Sequence, residues 1–359
     1  MRVALVARTV GRGAGTAGYT HHLATTLSGR GHEVEVWSAE SHVREAVPYR
    51  TRVLPGPALG GLGGVCLRAW FSRSIGQEGY DIVQGFGRTL GHDVFRASGG
   101  AHAAWLERKP VRQRSLREWV ELKIDERACR EARHVICPSH RVAADLVAYY
   151  GLATRRLTVV RNGVDGSTFR PDPERRANLR AGWGLEGEAK AVLFFGHGFA
   201  RKGLATAVEA FERGATRRDR FLVMGDDSKA NLYRRALTDR LGSQLIWLGS
   251  EAHPERYVVG ADAAILPTRY DAGANTTLEA LACGVPVVTS DMDGSGEVAP
   301  DRALVVAAGA GTRSWGCALT FALQGGASLR RACREASCSW TVERNGQETE
   351  AVYREVLGG

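Results

Sequence analysis

The chain has 359 residues, 44% hydrophobic and 24% charged, with 48 Lys and Arg against 39 Asp and Glu for a net charge of +9. That composition supplies sizeable cores and excludes a disordered chain, and the length suits two domains of roughly 100–200 residues each. No apolar run reaches the roughly 18 residues a bilayer-spanning helix needs, and the short apolar start MRVALVARTV reads as a first strand, not a leader segment.

In chain order, strands are predicted at residues 3–7, 33–38, 82–84, 134–138 and 157–161, with helices over 18–27 and 141–150. The pattern then restarts, with strands at 191–196, 221–225, 245–248, 263–266 and 285–289, and helices at 204–214, 232–241 and 277–283. A last helix is predicted over 341–356. Continuous rather than alternating hydrophobicity marks strands covered on both faces, as in a parallel sheet between helix layers. Two such arrays predict an α/β protein of two doubly wound, Rossmann-like domains, with ligands at the carboxyl ends of the strands. The domains are expected at 1–165 and 166–340, with 341–359 packing back on the first. Residues 166–190, with Pro171, Pro173 and several glycines, read as the connection.

Seven cysteines occur without a CxxC pair, which speaks against a zinc site or a disulfide framework and fits a reducing cytoplasm. The charge is uneven: residues 1–165 hold 24 basic and 15 acidic residues, and the remainder 24 of each, so all the excess positive charge lies in the first half. Such asymmetry points to a polyanionic partner for that half: a phosphorylated glycan, an anionic membrane surface or nucleic acid. A generally Arg-rich composition explains it equally well.

Gly13, Gly15 and Gly18 match GxGxxG, and Glu40 follows at the end of the second predicted strand, as in a dinucleotide-binding fingerprint. That fingerprint needs its first glycine to turn directly out of the strand, whereas five residues separate Ala7 from Gly13. The dehydrogenase reading is therefore set aside, and the glycines are assigned to a loop at the mouth of an interdomain cleft, where backbone approaches a ligand closely.

The most informative segment runs from Tyr270 to Ser290. A Gly- and Ala-rich loop leaves the strand that ends near Pro267 and enters a helix near Asn275. Backbone N–H groups and the helix dipole there suit an anion, and small side chains let a phosphate or sugar lie against the backbone. Asp271 and Glu279 flank this point. Ionised carboxylates only accept hydrogen bonds, so beside a phosphate they suit ligand hydroxyls.

These residues resemble the retaining family 4 glycosyltransferases, whose hallmark is two acids with seven residues between them and an LEAxAxGxPV run; here Asp271 and Glu279 hold those positions and the run continues through Ala282-Cys283-Gly284-Val285-Pro286. More narrowly, the chain is similar to the lipopolysaccharide core glucosyltransferase I family. Arg30-Gly31-His32-Glu33-Val34, Gln84-Gly85-Phe86-Gly87, His92-Asp93-Val94-Phe95-Arg96 and Gly198-Phe199-Ala200-Arg201-Lys202-Gly203 agree in order along the chain. The resemblance implies a GT-B fold, with acceptor on the first domain and nucleotide-sugar on the second. It implies that Glu279 holds the ribose hydroxyls and Asp271 the transferred sugar. The backbone of Ala272, Gly273, Ala274, Asn275 and Thr276, with Gly196 and Gly198, would line the donor. Arg201 and Lys202 would bind the leaving diphosphate, a bidentate fork beside a point charge. His102, in the Gly-cushioned stretch Ser98-Gly99-Gly100-Ala101-His102, would position the sugar or polarise the acceptor. Two departures stand out: Asp271 where the family more often has Glu, and Gly99 where relatives often have Asp.

Asp291-Met292-Asp293 imitates a DxD metal motif without an evident further ligand, and Arg201 with Lys202 already supplies cations for a diphosphate, so neither an obligatory metal nor another cofactor is expected. The nucleotide-sugar is a co-substrate, uridine and glucose being the family's usual base and sugar. Residues 107–134 carry nine basic and six acidic residues, and Arg108, Lys109, Arg112, Arg114 and Arg117 occur without an acid between Arg108 and Arg117. Interleaved with Trp105, Leu106, Leu116 and Trp119, they suit a segment lying on an anionic membrane. This implies a cytoplasmic enzyme, peripheral at the inner face of the membrane, with a glycan or glycolipid acceptor; a domain helix turning its Trp and Leu inward fits the same pattern. Nucleic acid is not expected, as no recognised binding motif accompanies the charge. A sugar-nucleotide epimerase or phosphorylase on the same fold, and a non-catalytic nucleotide-sugar-binding protein, remain the alternatives.

Overall fold

Five successive residues of the first strand, Val3 to Ala7, are wholly buried. Strand β1 (Arg2–Val10) lies inside a parallel sheet, between β2 (Glu33–Ser41) and β4 (Ile82–Phe86). In the computed structural model, which describes residues 1–11, 15–43, 46–54, 61–109 and 115–358, the chain forms two units: Met1–Gly163 with Val342–Gly359, and Val164–Thr341.

In the first unit β3 (Arg50–Val53), β5 (Val94–Arg96), β6 (His134–Cys137) and β7 (Leu157–Val159) complete the order β3-β2-β1-β4-β5-β6-β7. The helices are α1 (Gly15–Gly29), α2 (Gly61–Phe71), α3 (His102–Arg108), α4 (Leu116–Glu131) and α5 (His140–Tyr150). Local chemistry sets their ends. Ser115 and Glu118 form a capping box at the start of α4, and the Ser139 hydroxyl accepts the Val142 N–H at the start of α5. Helix α5 stops at Gly151, whose φ of +63° is left-handed.

The second unit begins with α6 (Pro173–Gly182) and repeats the plan. Its strands are β8 (Ala191–Phe195), β9 (Arg220–Met224), β10 (Leu245–Gly249), β11 (Ala263–Leu266), β12 (Val287–Ser290) and β13 (Val305–Val306), in the order β10-β9-β8-β11-β12-β13. Its other helices are α7 (Phe199–Lys202), α8 (Leu204–Gly214), α9 (Ala230–Leu241), α10 (Glu255–Val258), α11 (Asn275–Ala282), α12 (Thr312–Gln324) and α13 (Gly326–Cys338). Its core gathers Val192, Phe194, Phe211, Phe221, Ile265 and Trp315.

The last helix, α14 (Val342–Gly358), belongs to the first unit and packs on α1. Tyr353 donates to the Gln84 side chain at 2.6 Å, Tyr19 donates to Asn345 at 2.9 Å, and the buried Glu350 carboxylate accepts from Arg30 at 2.5 Å. Gly346 permits this closeness, since a Cβ there would lie 2.4 Å from Cγ2 of Thr26.

Three expectations are corrected. Strand β1 runs to Val10 and α1 starts at Gly15, so fewer residues lie between them than expected, and Gly15 and Gly18 are helical residues rather than a loop; Gly13 lies outside the described residues. The expected connection contains α6, because Asp172 caps a helix whose first position is Pro173, a proline that starts a helix as readily as it marks a linker. Arg176 and Arg180 fasten that helix to Asp262 at 2.5 and 2.6 Å. Finally, β3, β5 and β13 are short strands that the hydrophobic pattern did not single out; β3 reads RTRV and is exposed along its length.

Candidate functional site

In the second sheet the order reverses between β8 and β11, which places a crevice at the carboxyl ends of these neighbours. The loop after β8 contains Gly196 and Gly198 and leads into α7; the loop after β11 leads through Asp271 into α11. The two loops touch at backbone level. A Cβ on Gly203 would lie 2.1 Å from the Pro267 carbonyl oxygen, and Gly203 has a φ of +80°. Gly196 serves differently: the Lys202 stem lies across it, with Cγ 3.3 Å from where a Cβ would stand.

This crossing brings Arg201, Lys202 and Asp271 together. Oδ2 of Asp271 accepts from Arg201 Nη1 at 2.7 Å and from Lys202 Nζ at 2.6 Å. Burial pushes the Asp271 carboxyl up, but the Lys202 ammonium and the Arg201 guanidinium outweigh it and hold the group well below the usual carboxylate range. Two cations share one carboxylate, so the cluster carries a net positive charge. Lys202 is itself buried, which strengthens its field.

Glu279 has the opposite environment. Its carboxylate has no hydrogen bond or ion pair among the described residues, and burial pushes it from 4.5 up to about 7, against the pull of Lys202. Thr276, three residues earlier on α11, has a buried hydroxyl without a partner among the described residues. Residues three apart share a helix face. Helix α11 thus offers a hydroxyl and a carboxylate, neither of them bonded among the described residues, on the side that feels Lys202.

The backbone of this turn is less open than expected. The Gly273 N–H donates to Oδ1 of Asp271 at 3.3 Å, and the Ala274 N–H to Oδ1 of Asp293 at 3.0 Å. Two of the amides assigned to an anion are therefore occupied by carboxylates, while Ala272 and Ala274 are buried. Asp293 also accepts from Thr277 Oγ1 at 2.7 Å, Thr289 Oγ1 at 3.0 Å and the Ser295 N–H at 2.9 Å. It pins the start of α11 to β12. Asp291, two residues away, accepts instead from the Ala308 N–H at 2.8 Å. The DxD pair is thus spent on backbone and hydroxyl donors, and no group of three or more His, Cys, Asp or Glu among the described residues is placed to hold a metal.

Within the first unit, His102 opens α3 and is buried, rather than sitting in a loop as expected. Its Nδ1 lies 2.9 Å from Arg88 Nη2, and its backbone N–H donates to Oδ2 of Asp125 at 3.0 Å. The same carboxylate oxygen accepts from Tyr150 at 2.7 Å. Gly99 is in the turn just before α3.

The basic stretch divides. Leu106 is buried in the core, whereas Leu116 and Trp119 on α4 are 68% and 53% exposed. Arg112 and Arg114 lie outside the described residues. Lys109 pairs with Glu118 at 2.5 Å and Arg117 with Glu121 at 2.9 Å, while Arg108 Nη1 donates to the Ala104 carbonyl at 2.8 Å. Neighbouring acids therefore compensate much of the positive charge that the sequence displays. No helix among the described residues is long and apolar enough to cross a membrane.

Thr277, Arg88, Asp125 and Tyr150 were not singled out from sequence, and Asp293 was singled out only as half of a DxD imitation, not for the hydrogen bonds it accepts. Asp293 could have been found by the Asx-type pattern Asp-Gly-Ser, in which the carboxylate accepts the N–H two residues on. The network around His102 joins residues distant in the chain and leaves no local signal.

Comparison with known proteins agrees with the two Rossmann-like units. A family model described as Glycosyltransferase Family 4 matches residues 13–167, and one described as Glycosyl transferases group 1 matches residues 189–323. A glycogen synthase of Mycobacterium tuberculosis is 27% identical over 214 residues, covering 57% of this chain and 47% of the relative. The lipopolysaccharide glucosyltransferase WaaG of Escherichia coli is 24% identical over 290 residues, covering 76% of this chain and 75% of the relative. The chain thus spans about half the length of the synthase and three quarters of that of WaaG. Among solved structures, WaaG superposes with a TM-score of 0.83 at 18% identity, covering 99% of this chain and 100% of the other. The Anabaena protein HepE in complex with UDP-glucose superposes with a TM-score of 0.73 at 15% identity, covering 99% and 100%.

Proposed function

We propose that this chain, a GT-B glycosyltransferase carrying family 4 and group 1 domains, moves a hexose from a nucleoside-diphosphate sugar to a hydroxyl of a lipid-linked or envelope glycan. The observation that carries this reading is the cluster at the end of β8 and β11. Arg201 and Lys202 share the single carboxylate of Asp271, and the Thr276 hydroxyl and Glu279 carboxylate of α11 are left without a bonded partner among the described residues.

A nucleoside diphosphate fits the chemistry of that cluster. Its phosphate oxygens would take up the positive charge left over by Asp271, with Arg201 and Lys202 stabilising the charge that grows on the leaving group. Glu279 would accept the ribose hydroxyls once it has lost its proton, and Thr276 adds a hydroxyl within the same turn. Asp271 would remain the organiser of the two cations while facing the transferred sugar. The donor is UDP-glucose and the acceptor a sugar of a lipopolysaccharide-like core. These finer assignments rest on similarity to WaaG, a glucosyltransferase, and to HepE, which was solved with UDP-glucose.

In the reaction, the bond from C1 of the sugar to the diphosphate breaks and a bond from C1 to the acceptor oxygen forms on the same face. The acceptor proton passes to an oxygen of the departing phosphate. The configuration is retained with no covalent enzyme intermediate, and no metal is needed because side-chain cations meet the diphosphate. Leu116 and Trp119, exposed beside Arg117, would touch an anionic membrane at its cytoplasmic face and bring the enzyme to a lipid-anchored acceptor.

The test is a panel of nucleotide-sugars read by thermal shift, since a ligand bound only by the folded state raises its melting point. Turnover of the best donor is then followed with excess EDTA, and the anomer of the product is read by NMR. Stabilisation by UDP-glucose, EDTA-resistant release of UDP and a retained anomer are expected. Absence of stabilisation by any nucleotide-sugar would overturn the reading.

A further inference from the structure

Arg96 is wholly buried inside the first unit, and the donor site makes no use of it. In the parallel register Gln84 of β4 pairs with Val94 and Phe86 with Arg96 of β5, so Gln84 and Arg96 reach the same face of the sheet. Helices α1 and α14 cover that face. The Arg96 guanidinium stacks on the Tyr19 ring of α1 at 4.1 Å, and Tyr353 of α14 donates to Oε1 of Gln84 at 2.6 Å. The surroundings are apolar, among them Phe86, Val94 and Val352.

Only Nη2 of Arg96 is bonded: it donates to the Val160 carbonyl at 3.1 Å and to Oδ1 of Asn162 at 2.7 Å. Nε and Nη1 of Arg96, the Gln84 amide nitrogen and the Thr349 hydroxyl are buried without a hydrogen-bond partner among the described residues. Thr349 stands one turn before Tyr353 on the same side of α14. Buried donors are nearly always met in native proteins, so four unmet groups on facing elements require an explanation. Charge supplies it. No carboxylate pairs with the guanidinium among the described residues, and Glu348 of α14, which acts on it from beyond ion-pair distance, is itself bonded to Arg344 at 2.7 Å. Burial pushes the guanidinium down from its usual range, outweighing the pull of Tyr19, Cys137, Tyr353 and Glu348. Arginine nevertheless keeps its proton in proteins, and a lone buried cation is strongly destabilising. The Tyr19 ring offsets part of that cost. Water would meet the spare N–H groups and leave the charge, whereas an anion meets both.

We propose that the first unit binds one monovalent anion, of the size and charge of chloride, beside Arg96 on the sheet face under α14, with the Gln84 amide and the Thr349 hydroxyl as further donors. A single negative charge balances the single guanidinium. Because Gln84 belongs to the sheet and Thr349 to α14, the ion ties the last helix to the sheet it covers. The inference stands apart from the nucleotide-sugar reading, since none of these groups belongs to the donor site.

The experiment places the full chain in sodium chloride or sodium gluconate at equal ionic strength and reads thermal melting together with hydrogen exchange of the α14 amides. Chloride should raise the melting temperature saturably, by about 2–4 °C, and slow exchange in α14. Crystals grown in sodium bromide should show an anomalous peak beside Arg96. Gln84→Glu keeps an acceptor for Tyr353 and builds a carboxylate into the same face, so its melting temperature should no longer depend on chloride. Arg96→Met should lose the dependence as well, and Gln84→Glu, which retains the arginine, carries the comparison where the methionine variant does not fold. Equal melting and exchange in the two salts, or water in place of bromide at Arg96, would overturn the proposal. A chloride effect that persists undiminished in Gln84→Glu would place the ion elsewhere and overturn it too.

Discussion

Replacing Glu279 with glutamine removes a carboxylate that the folded chain holds at a cost. Burial raises this group from 4.5 to about 7. An acid whose pKa is higher in the folded state keeps its proton after the unfolded chain has released it, so stability falls as pH rises from about 4.5 to about 7 and stays reduced above that. At roughly 1.4 kcal/mol for each pH step, the full displacement is worth about 3 kcal/mol, and partial solvent access lowers this to about 1–3 kcal/mol. Glu279→Gln keeps the shape and abolishes the titration. Urea denaturation should therefore find the variant close to the parent at pH 4, where Glu279 is largely protonated in the folded and the unfolded chain alike, and more stable by about 1–3 kcal/mol at pH 8. The variant also loses the ionised oxygens proposed for the ribose, so its UDP affinity at pH 8 should fall about tenfold. Equal stabilisation at both pH values, or none at pH 8, would refute the assignment of burial as the cause.

Asp271→Asn leaves Lys202 buried without its counter-charge, for which about 3 kcal/mol of stability should be lost, and donor turnover should fall at least about a hundredfold; chemical denaturation and UDP release check the two parts. Gly346→Ala drives a methyl toward Cγ2 of Thr26, 2.4 Å away, and should cost about 1–3 kcal/mol by thermal melting; pairing it with Thr26→Ser, which removes that methyl, should recover part of the loss. Leu116→Ser with Trp119→Ser removes exposed apolar area from α4 and should weaken co-sedimentation with phosphatidylglycerol vesicles severalfold while leaving the melting temperature within about 2 °C, whereas undiminished binding would place membrane contact elsewhere.

Buried strands and amphipathic helices declare themselves by local periodicity, which is why two βα arrays and the position of every long helix between Ala191 and Ser290 were legible in the residues. The Asp271–Glu279 segment was equally legible, because spacing within one loop and helix is a property of consecutive residues. Short strands such as β3 gain their place from pairing with β2 and leave no mark in their own sequence, whereas the Asp172-Pro173 start of α6 is a local signal that a linker reading shares, and the grip of Asp262 on two arginines decides it. The roles inside the site were divided in the same way. Neighbouring residues announced an acid pair and a cation pair, but only folding could bring Arg201 and Lys202 onto Asp271 about seventy positions away and leave Glu279 without a bonded partner among the described residues. Which carboxylate is ionised and which amide is occupied both depend on groups brought within a few ångströms by the crossing of distant loops. Electrostatic energy follows distance in space, and that distance is set by the tertiary structure.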